Sequence, residues 1–506
     1  MDTRTAPAIP SSSSVLHTLI VGAGFGGIGM AIALQRQGVR EVLICEKASD
    51  VGGCWRENTY PGAACDVPSH LYSFSFAPKP DWSRKYAPQP EILAYLREVV
   101  ARHGLAPWLR LNTEVSELRY LEGEGEGEGG KSDKSGVWEA RLDDGQTLRA
   151  RFVVTACGQL SKPLMPRIPG MDSFAGVAFH SARWRHDVDL RGTRVAVIGT
   201  GASAIQFIPQ IAQQAAQVTV FQRSAPYVIP KPDRPYRAWE QRLFASVPLL
   251  QRLSRGWIYL SHEARALAFT RMPWLMAPYR LGFERNLRRQ VPDAALRQRL
   301  TPDHPLGCKR ILISNDFYAA MGRPNVELVS EGVAAIEPQG VRAKDGQLHA
   351  ADVIVYGTGF AATEFLTPMR VRGRGGLDLH AQWQGGAQAW LGMAVSGFPN
   401  LFMLYGPNTN LGHNSIVYML ESQIEHVARC MRGLQQRGQA SMEVPPQTES
   451  AFNARLQALM RRTVWSAGCT SWYQTADGRN PVNWPGFTIS YRWLTRRAGL
   501  KDYVLR

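Results

Sequence analysis

Two segments of the chain repeat one pattern: a short apolar run, a glycine-rich turn, and a stretch in which apolar residues recur at helical spacing. In the first segment the apolar run covers residues 17–21, and residues 28–37 show the helical spacing. In the second segment residues 194–198 and 205–212 occupy the same places. A buried strand of a parallel sheet is typically a continuous apolar run, whereas a helix shows a period near 3.6 residues. The pattern therefore predicts two strand-turn-helix units on one chain.

The turns between these elements have the glycine spacing of a phosphate-binding loop. The first glycine makes the tight turn, the second lets the backbone approach a pyrophosphate, and the third position must be small so that the helix packs on the sheet. The N-terminus of the helix then attracts the negative charge of the phosphates. We therefore expect two dinucleotide sites, with Gly22, Gly24 and Gly27 in the first turn and Gly199, Gly201 and Ser203 in the second.

The residue that ends the next strand of each unit differs in charge. Glu46 ends the predicted strand 41–46, nineteen residues after Gly27, where a carboxylate can accept hydrogen bonds from an adenosine ribose. Arg223 follows the predicted strand 218–222 at the corresponding place of the second unit. A guanidinium can pair with a ribose 2′-phosphate. We therefore expect FAD or NAD at the first site and NADP(H) at the second.

The remaining pattern predicts an α/β fold with two Rossmann-like dinucleotide-binding domains and a helical insertion in the second. Apolar strands at residues 152–158 and 352–359 each close on a glycine, and residues 233–304 have a helical, Arg- and Trp-rich composition. The glycine-rich acidic tract within 120–136 indicates a hairpin loop. The predicted parts are a flexible tail at 1–14, a first domain from 15–162 with 378–506, a second from 163–232 with 305–377, and the insertion at 233–304.

Composition narrows the class of protein. The 506 residues include 44% hydrophobic and 20% charged residues, as in ordinary globular proteins. The apolar stretches 16–34 and 257–276 are interrupted by glycines or by charged residues, so we expect no membrane span. The net charge of +16 comes from arginines spread along the chain, which argues against a nucleic-acid partner. The seven cysteines show no paired spacing, which favours reduced thiols in a cytoplasmic protein without a metal site.

Two further motifs lie near the glycine turns. Residues 174–184 fit the pattern FxGxxxHxxxW, with His180 and Trp184 at fixed positions. Residues 53–66 fit GxWxxxxYPGxxxD, with Trp55 and Asp66 at fixed positions. With these motifs the chain resembles the type I Baeyer–Villiger monooxygenases, flavoenzymes that insert oxygen beside a ketone carbonyl. Arg185 departs from the pattern, since the family usually has Pro or Asp after the tryptophan.

The resemblance, which covers most of the chain, implies FAD and NADPH as cofactors. It implies a C4a-peroxyflavin that attacks a ketone substrate and leads to an ester or lactone. It assigns catalysis to Arg310, whose permanent positive charge stabilises anionic oxygen, and to Asp66, which holds that arginine. It places the following residues at the cofactors: Trp55 and Asp66 near the flavin, Lys309 and Arg223 on the NADP 2′-phosphate, and Trp472 on the nicotinamide ribose.

Three alternatives stay open at this stage. A related flavin-containing monooxygenase would oxygenate sulfur or nitrogen with the same cofactors, and a sulfide would then be the substrate. A flavin disulfide reductase would need two cysteines a few residues apart, whereas Cys54 and Cys65 lie farther apart and on either side of Trp55. A basic nucleic-acid-binding module would not consume NADPH. The pattern leaves the choice between a monomer and a small homo-oligomer open.

Overall fold

The computed structural model describes residues 15–123 and 136–506. The predicted tail 1–14 and most of the predicted loop at 120–136 lie outside these residues. The strands within them are β1 Val15–Val21, β2 Val42–Cys45, β3 Leu109–Arg110, β4 Val115–Leu121, β5 Val137–Leu142, β6 Thr147–Thr155, β7 Val177–His180, β8 Arg194–Ile198, β9 Gln217–Phe221, β10 Val228–Ile229, β11 Leu312–Ile313, β12 Val326–Val329, β13 Val333–Glu337, β14 Gly340–Ala343, β15 Leu348–Ala350, β16 Val353–Tyr356, β17 Arg370–Arg372, β18 Leu401–Met403, β19 Met442–Glu443 and β20 Val504–Leu505.

The α-helices of the described residues are mostly short, apart from six that exceed three turns. They are α1 Phe25–Arg36, α2 Cys54–Glu57, α3 Gln89–Arg102, α4 Ala204–Ile211, α5 Ala238–Ser246, α6 Pro248–Thr270, α7 Ala277–Gln290, α8 Ala294–Arg299, α9 Phe317–Met321, α10 Leu379–Gln382, α11 Ile416–Gln436, α12 Pro446–Met460 and α13 Thr488–Arg497.

The first sheet is built around β1, which pairs in parallel with β2 on one side and β6 on the other. Its strand order is β17-β4-β5-β6-β1-β2-β3, and β18 also pairs with β6. Six of the seven residues of β1 are buried, as expected of a strand covered on both faces. Helices α1, α3 and α11 contribute to the core on one face. The glycine turn after β1 therefore opens where the strand order reverses, which is the usual ligand-binding edge of such a sheet.

The second sheet repeats this arrangement around β8. All its pairings are parallel, in the order β12-β9-β8-β16-β7. Helix α4 packs on it through Ile205, Phe207 and Ile208, which are buried. The predicted α/β fold with two Rossmann-like units is confirmed, and the predicted insertion is helical, since it contains α5 to α8.

Element boundaries differ from the predictions by a few residues. Strand β1 begins at Val15, and α11 begins at Ile416 because the Ser415 side chain accepts a hydrogen bond from the Val417 amide. Strand β17, within the predicted second domain, pairs with β4 of the first sheet. The domain boundaries themselves stay a prediction.

The prediction that the cysteines are reduced is wrong for one pair. Cys308 and Cys469 form a disulfide, with Cα atoms 6.3 Å apart. The two residues are 161 positions apart in the chain, so only the tertiary fold brings them together. The other five cysteines are free, and neither Cys54 nor Cys65 is paired.

Candidate active site

In the first glycine turn, Gly22 and Gly27 are packed tightly against the protein, whereas Gly24 has room around it. Gly22 has φ +103°, and a Cβ there would lie 2.7 Å from the Ala156 carbonyl oxygen. A Cβ on Gly27 would overlap the Gly22 carbonyl oxygen, so this position must be glycine for α1 to pack on the sheet. At Gly24 the nearest atom to such a Cβ is the Gly53 Cα, 3.7 Å away. No side chain caps α1. The turn therefore offers backbone amides to a phosphate at the place where protein packing does not require glycine.

Glu46 is buried beside this turn. Its carboxylate accepts a hydrogen bond from the Ala23 amide at 2.9 Å and forms an ion pair with Arg56 at 3.1 Å. The predicted position next to the turn is observed, and the carboxylate also holds the turn itself. Trp55, on α2, donates a hydrogen bond from Nε1 to the Tyr72 hydroxyl at 3.1 Å.

In the second glycine turn too, one glycine is required by packing and another has room around it. Gly199 has φ +107°, and a Cβ there would lie 2.6 Å from the Gly357 carbonyl oxygen. A Cβ on Gly201 would meet its nearest neighbour only at 3.8 Å. Ser203 directly precedes α4, and its side chain caps none of the helix amides. The N-terminus of α4 is therefore also available to a phosphate.

Two cations lie beside this second turn. The Lys309 ammonium donates a hydrogen bond to the Ser224 hydroxyl at 2.9 Å, and Arg223 is exposed next to Ser224. Burial lowers the pKa of Lys309, and the nearby charge of Arg223 lowers it further, while Asp303 opposes both. Two like charges this close favour a doubly charged anion between them.

Asp66 and Arg310 form an ion pair through Arg310 Nη2 and Asp66 Oδ2. Their side chains are 35% and 28% exposed although protein surrounds them, as expected of groups on the wall of a cleft. Burial would raise the pKa of Asp66, but the charge and hydrogen bond of Arg310 lower it below the ordinary value, with a contribution from Lys231. Asp66 in turn raises the pKa of Arg310 against the opposing effect of burial. The two residues therefore stay charged at physiological pH.

Three residues near this pair were not predicted from the sequence. Lys231 lies close enough to Asp66 to affect its pKa, and its ammonium lies 5.1 Å from the centre of the Tyr86 ring. Tyr405 donates a hydrogen bond to Asn410 Oδ1 at 2.6 Å. Tyr473 is fully buried, and its hydroxyl has no hydrogen-bond partner among the described residues. The only sequence signals were the position of Lys231 between two prolines and that of Tyr473 beside Trp472.

The loop that carries Trp472 is tied to the site by the disulfide. Cys308 directly precedes Lys309, and Cys469 lies three residues before Trp472. Trp472 itself is 37% exposed, and its ring centre lies 4.2 Å from that of Tyr473. The structure thus places the predicted nicotinamide contact on a loop bordering Arg310, with its own side chain free to meet a ligand.

The segment after Gly53, which lies next to Gly24 of the first turn, packs on α4 of the second unit. The Tyr60 hydroxyl donates to Gln206 Oε1 at 2.9 Å, and Gln206 Nε2 donates to the Ala64 carbonyl at 3.0 Å. A Cβ on Gly62 would lie 2.7 Å from the Gln206 carbonyl oxygen. The Tyr-Pro-Gly segment therefore leads the chain from this interface to Asp66.

The segment of the FxGxxxHxxxW pattern lies along the second sheet. His180 ends β7, and its Nδ1 accepts a hydrogen bond from the Ala182 amide at 3.1 Å. Trp184 packs on Phe179 and Phe207. Burial lowers the pKa of His180, so it is neutral at pH 7. These contacts give His180 a structural position and no proton-transfer partner among the described residues.

Comparison with known proteins connects this geometry to a family. Residues 19–239 match the pyridine nucleotide-disulphide oxidoreductase family. A Baeyer–Villiger monooxygenase of Pseudomonas aeruginosa is 43% identical over 100% of this chain and 94% of its own length. The structure of an oxidized steroid monooxygenase bound to NADP is similar, with a TM-score of 0.85 and 34% identity over 97% of this chain and 99% of its own. A structure of OTEMO in complex with FAD and NADP has the same TM-score at 27% identity, over 98% of this chain and 100% of its own.

Proposed function

The chain belongs to the Baeyer–Villiger monooxygenases, and on this basis we propose that it uses NADPH and O2 to convert a ketone to an ester or lactone. FAD binds at the first glycine turn and NADP at the second. The open positions at Gly24 and Gly201 support this assignment, because each leaves room for a phosphate that the protein itself does not fill.

FAD, when bound, accepts a hydride from NADPH and activates O2, which no amino-acid side chain can do. The protein's own residues bind, orient and stabilise charge around it. Gly22, Gly24 and Gly27 hold the pyrophosphate, Glu46 fixes the turn beside the adenosine ribose, and Trp55 borders the cleft.

Arg310 supplies the fixed positive charge of the reaction. When a nucleophilic oxygen attacks the ketone, negative charge develops on the carbonyl oxygen, and a preorganised cation lowers the energy of that state. Asp66 orients the guanidinium and keeps it in place through their ion pair. A guanidinium cannot lose its proton near neutral pH, so it cannot quench the nucleophile by protonating it.

The second site selects NADPH through its cations. Arg223 and Lys309 bind the 2′-phosphate, since they lie next to each other beside the turn formed by Gly199 and Gly201. Ser203 lies at the N-terminus of α4 near the pyrophosphate, and Trp472 covers the nicotinamide ribose from its tethered loop.

The observation that carries this proposal is the ion pair of Asp66 and Arg310, in which each residue keeps the other charged. Incubating the FAD-loaded enzyme with NADPH, ¹⁸O₂ and a panel of ketones and thioethers tests it. One labelled oxygen in an ester supports the proposal, while labelled sulfoxides without esters favour the sulfur-oxygenating alternative. A cytoplasmic location and a monomeric or small oligomeric state stay predictions.

A further inference from the structure

Helix α6 exposes an apolar stripe on the side opposite its packed face. Leu249, Leu253, Trp257 and Leu260 follow one another at helical spacing and are 61%, 59%, 74% and 61% exposed. The opposite face, with Ile258 among its residues, is buried against the protein. A helix that is apolar on both faces normally lies inside a core or against another apolar phase. The exposed face of α6 therefore lacks a cover among the described residues.

The neighbouring elements extend this stripe. Helix α5 packs against α6, and the short 3₁₀ turn Pro273–Met276 packs between α6 and α7. Each of these elements exposes a large apolar side chain. We call the whole the Trp257 surface, defined by Trp239, Leu249, Leu253, Trp257, Leu260, Trp274 and Leu281, which are between 57% and 74% exposed. Large exposed apolar side chains on elements that contact one another are typical of an interaction site on a protein surface.

The same segment is strongly basic. Residues 237–290 contain ten arginines, three glutamates and neither lysine nor aspartate. The glutamates are already engaged: Glu240 pairs with Arg234, Glu284 pairs with Arg280, and Glu263 is buried and accepts a hydrogen bond from the Thr488 hydroxyl. In residues 15–123 and 136–506, the exposed Arg242, Arg252 and Arg285 form no ion pair.

We propose that the Trp257 surface docks the protein on a bilayer that contains anionic lipids. Tryptophan and leucine side chains enter the interface between headgroups and acyl chains, and the flanking arginines bind the lipid phosphates. In the described part of the chain no helix has the length and apolarity needed to cross a bilayer. A second copy of the chain fits this surface less well, because a symmetric contact would bring the arginines of both copies together.

Sedimentation with lipid vesicles tests this proposal independently of oxygenation. The FAD-loaded enzyme is spun with vesicles of phosphatidylcholine alone, or of equal parts phosphatidylcholine and phosphatidylglycerol. We expect about tenfold more bound protein on the anionic vesicles at low salt, and less at high salt. Equal sedimentation with both vesicle types, or with none, would overturn the proposal.

A matched pair of variants assigns the binding to this surface. Leu253→Gln combined with Trp257→Gln changes two exposed side chains, so the fold and NADPH oxidation should be retained while vesicle binding falls about tenfold. Leu459→Gln on α12, also an exposed leucine at 44%, should bind as the parent does. Undiminished vesicle binding by the double variant would contradict the proposal. The proposal would also be contradicted if the parent were a dimer and the double variant a monomer with unchanged lipid binding.

Discussion

Asp66 and Arg310 lie 244 residues apart in the chain, yet Arg310 Nη2 donates a hydrogen bond to Asp66 Oδ2. Asp66 follows the Tyr-Pro-Gly segment of the first unit, and Arg310 lies in the loop that leads to β11. The pair therefore links the segment that follows the first glycine turn to the segment that precedes β11. Its geometry depends on how the units pack, so loss of either partner should affect chemistry more than folding.

Replacing Arg310 should strongly reduce oxygenation without loss of the flavin. We expect Arg310→Ala to lower the rate of ester formation about 100- to 1000-fold, because the developing negative charge loses its stabilising cation. Arg310→Lys should recover little, since an ammonium lacks the planar fork that pairs with Asp66. Product analysis and the flavin absorbance of the purified variants provide the measurement. Arg185→Ala, at an exposed arginine paired with Asp187, is the control. Full ester formation by Arg310→Ala would exclude the assigned role.

Replacing Arg223 should weaken NADPH binding selectively. We expect Arg223→Ala to raise KM for NADPH about 10- to 100-fold and to change KM for NADH little, because only NADPH carries the 2′-phosphate. Steady-state oxidation of both nucleotides measures the ratio. Arg191→Ala, at an exposed arginine paired with Asp189, should leave both constants unchanged. Equal increases in KM for the two nucleotides would show that Arg223 does not bind the 2′-phosphate.

Substitutions in the two glycine turns should distinguish a glycine needed for packing from one needed for ligand binding. Gly27→Ala places a methyl group on the Gly22 carbonyl, so we expect poor folding or loss of FAD. Gly201→Ala has room for its Cβ and should fold normally while binding NADPH more weakly, because the methyl group occupies the place of a phosphate. Thermal melts and NADPH titrations distinguish the two outcomes, with Gly282→Ala on α7 as the control in open space. Unchanged NADPH affinity in Gly201→Ala would place the pyrophosphate elsewhere.

Glu449 should make stability depend on pH. Burial raises its pKa to about 7, against the hydrogen bond that its Oε2 accepts from the Ser396 amide at 2.7 Å. The folded state therefore binds the proton more tightly than the unfolded state, whose pKa is near 4.5. Between these two values the free energy of unfolding falls as pH rises. Glu449→Gln removes this dependence. The change that it causes in the free energy of unfolding should therefore be more favourable at pH 8 than at pH 5, by about 1 to 3 kcal/mol. Melts at both pH values measure it, and equal effects at both would refute the assignment.

The disulfide predicts a definite thiol count. The denatured chain should react with five equivalents of maleimide without a reductant, and with seven after reduction. Mass spectrometry of the labelled protein gives both numbers. Cys469→Ser should leave one further reactive thiol, at Cys308, and should loosen the loop that carries Trp472. Seven reactive thiols in the unreduced chain would show that the bridge does not form.

Local sequence patterns were sufficient for the elements that depend on neighbouring residues. The apolar runs of β1 and β8, the glycines at 22 and 199 with positive φ, and the helical spacing of α4 are properties of a few adjacent residues. A strand-turn-helix unit is therefore readable before the fold is known. The motif residues Asp66 and Arg310 were found through their resemblance to a family, since nothing in either local segment indicates that the two meet.

Tertiary structure alone decided which distant segments come together. Lys231, Tyr405 and Tyr473 surround the Asp66–Arg310 pair from loops whose paths no local period encodes, and the Cys308–Cys469 bridge closes a separation of 161 residues. Likewise, the spacing of Leu253 and Trp257 predicts a helix face but not whether the fold covers it. Chain-local forces set the secondary elements, whereas burial and pairing depend on packing among all of them, and that packing placed the charges in one cleft and left the Trp257 surface open.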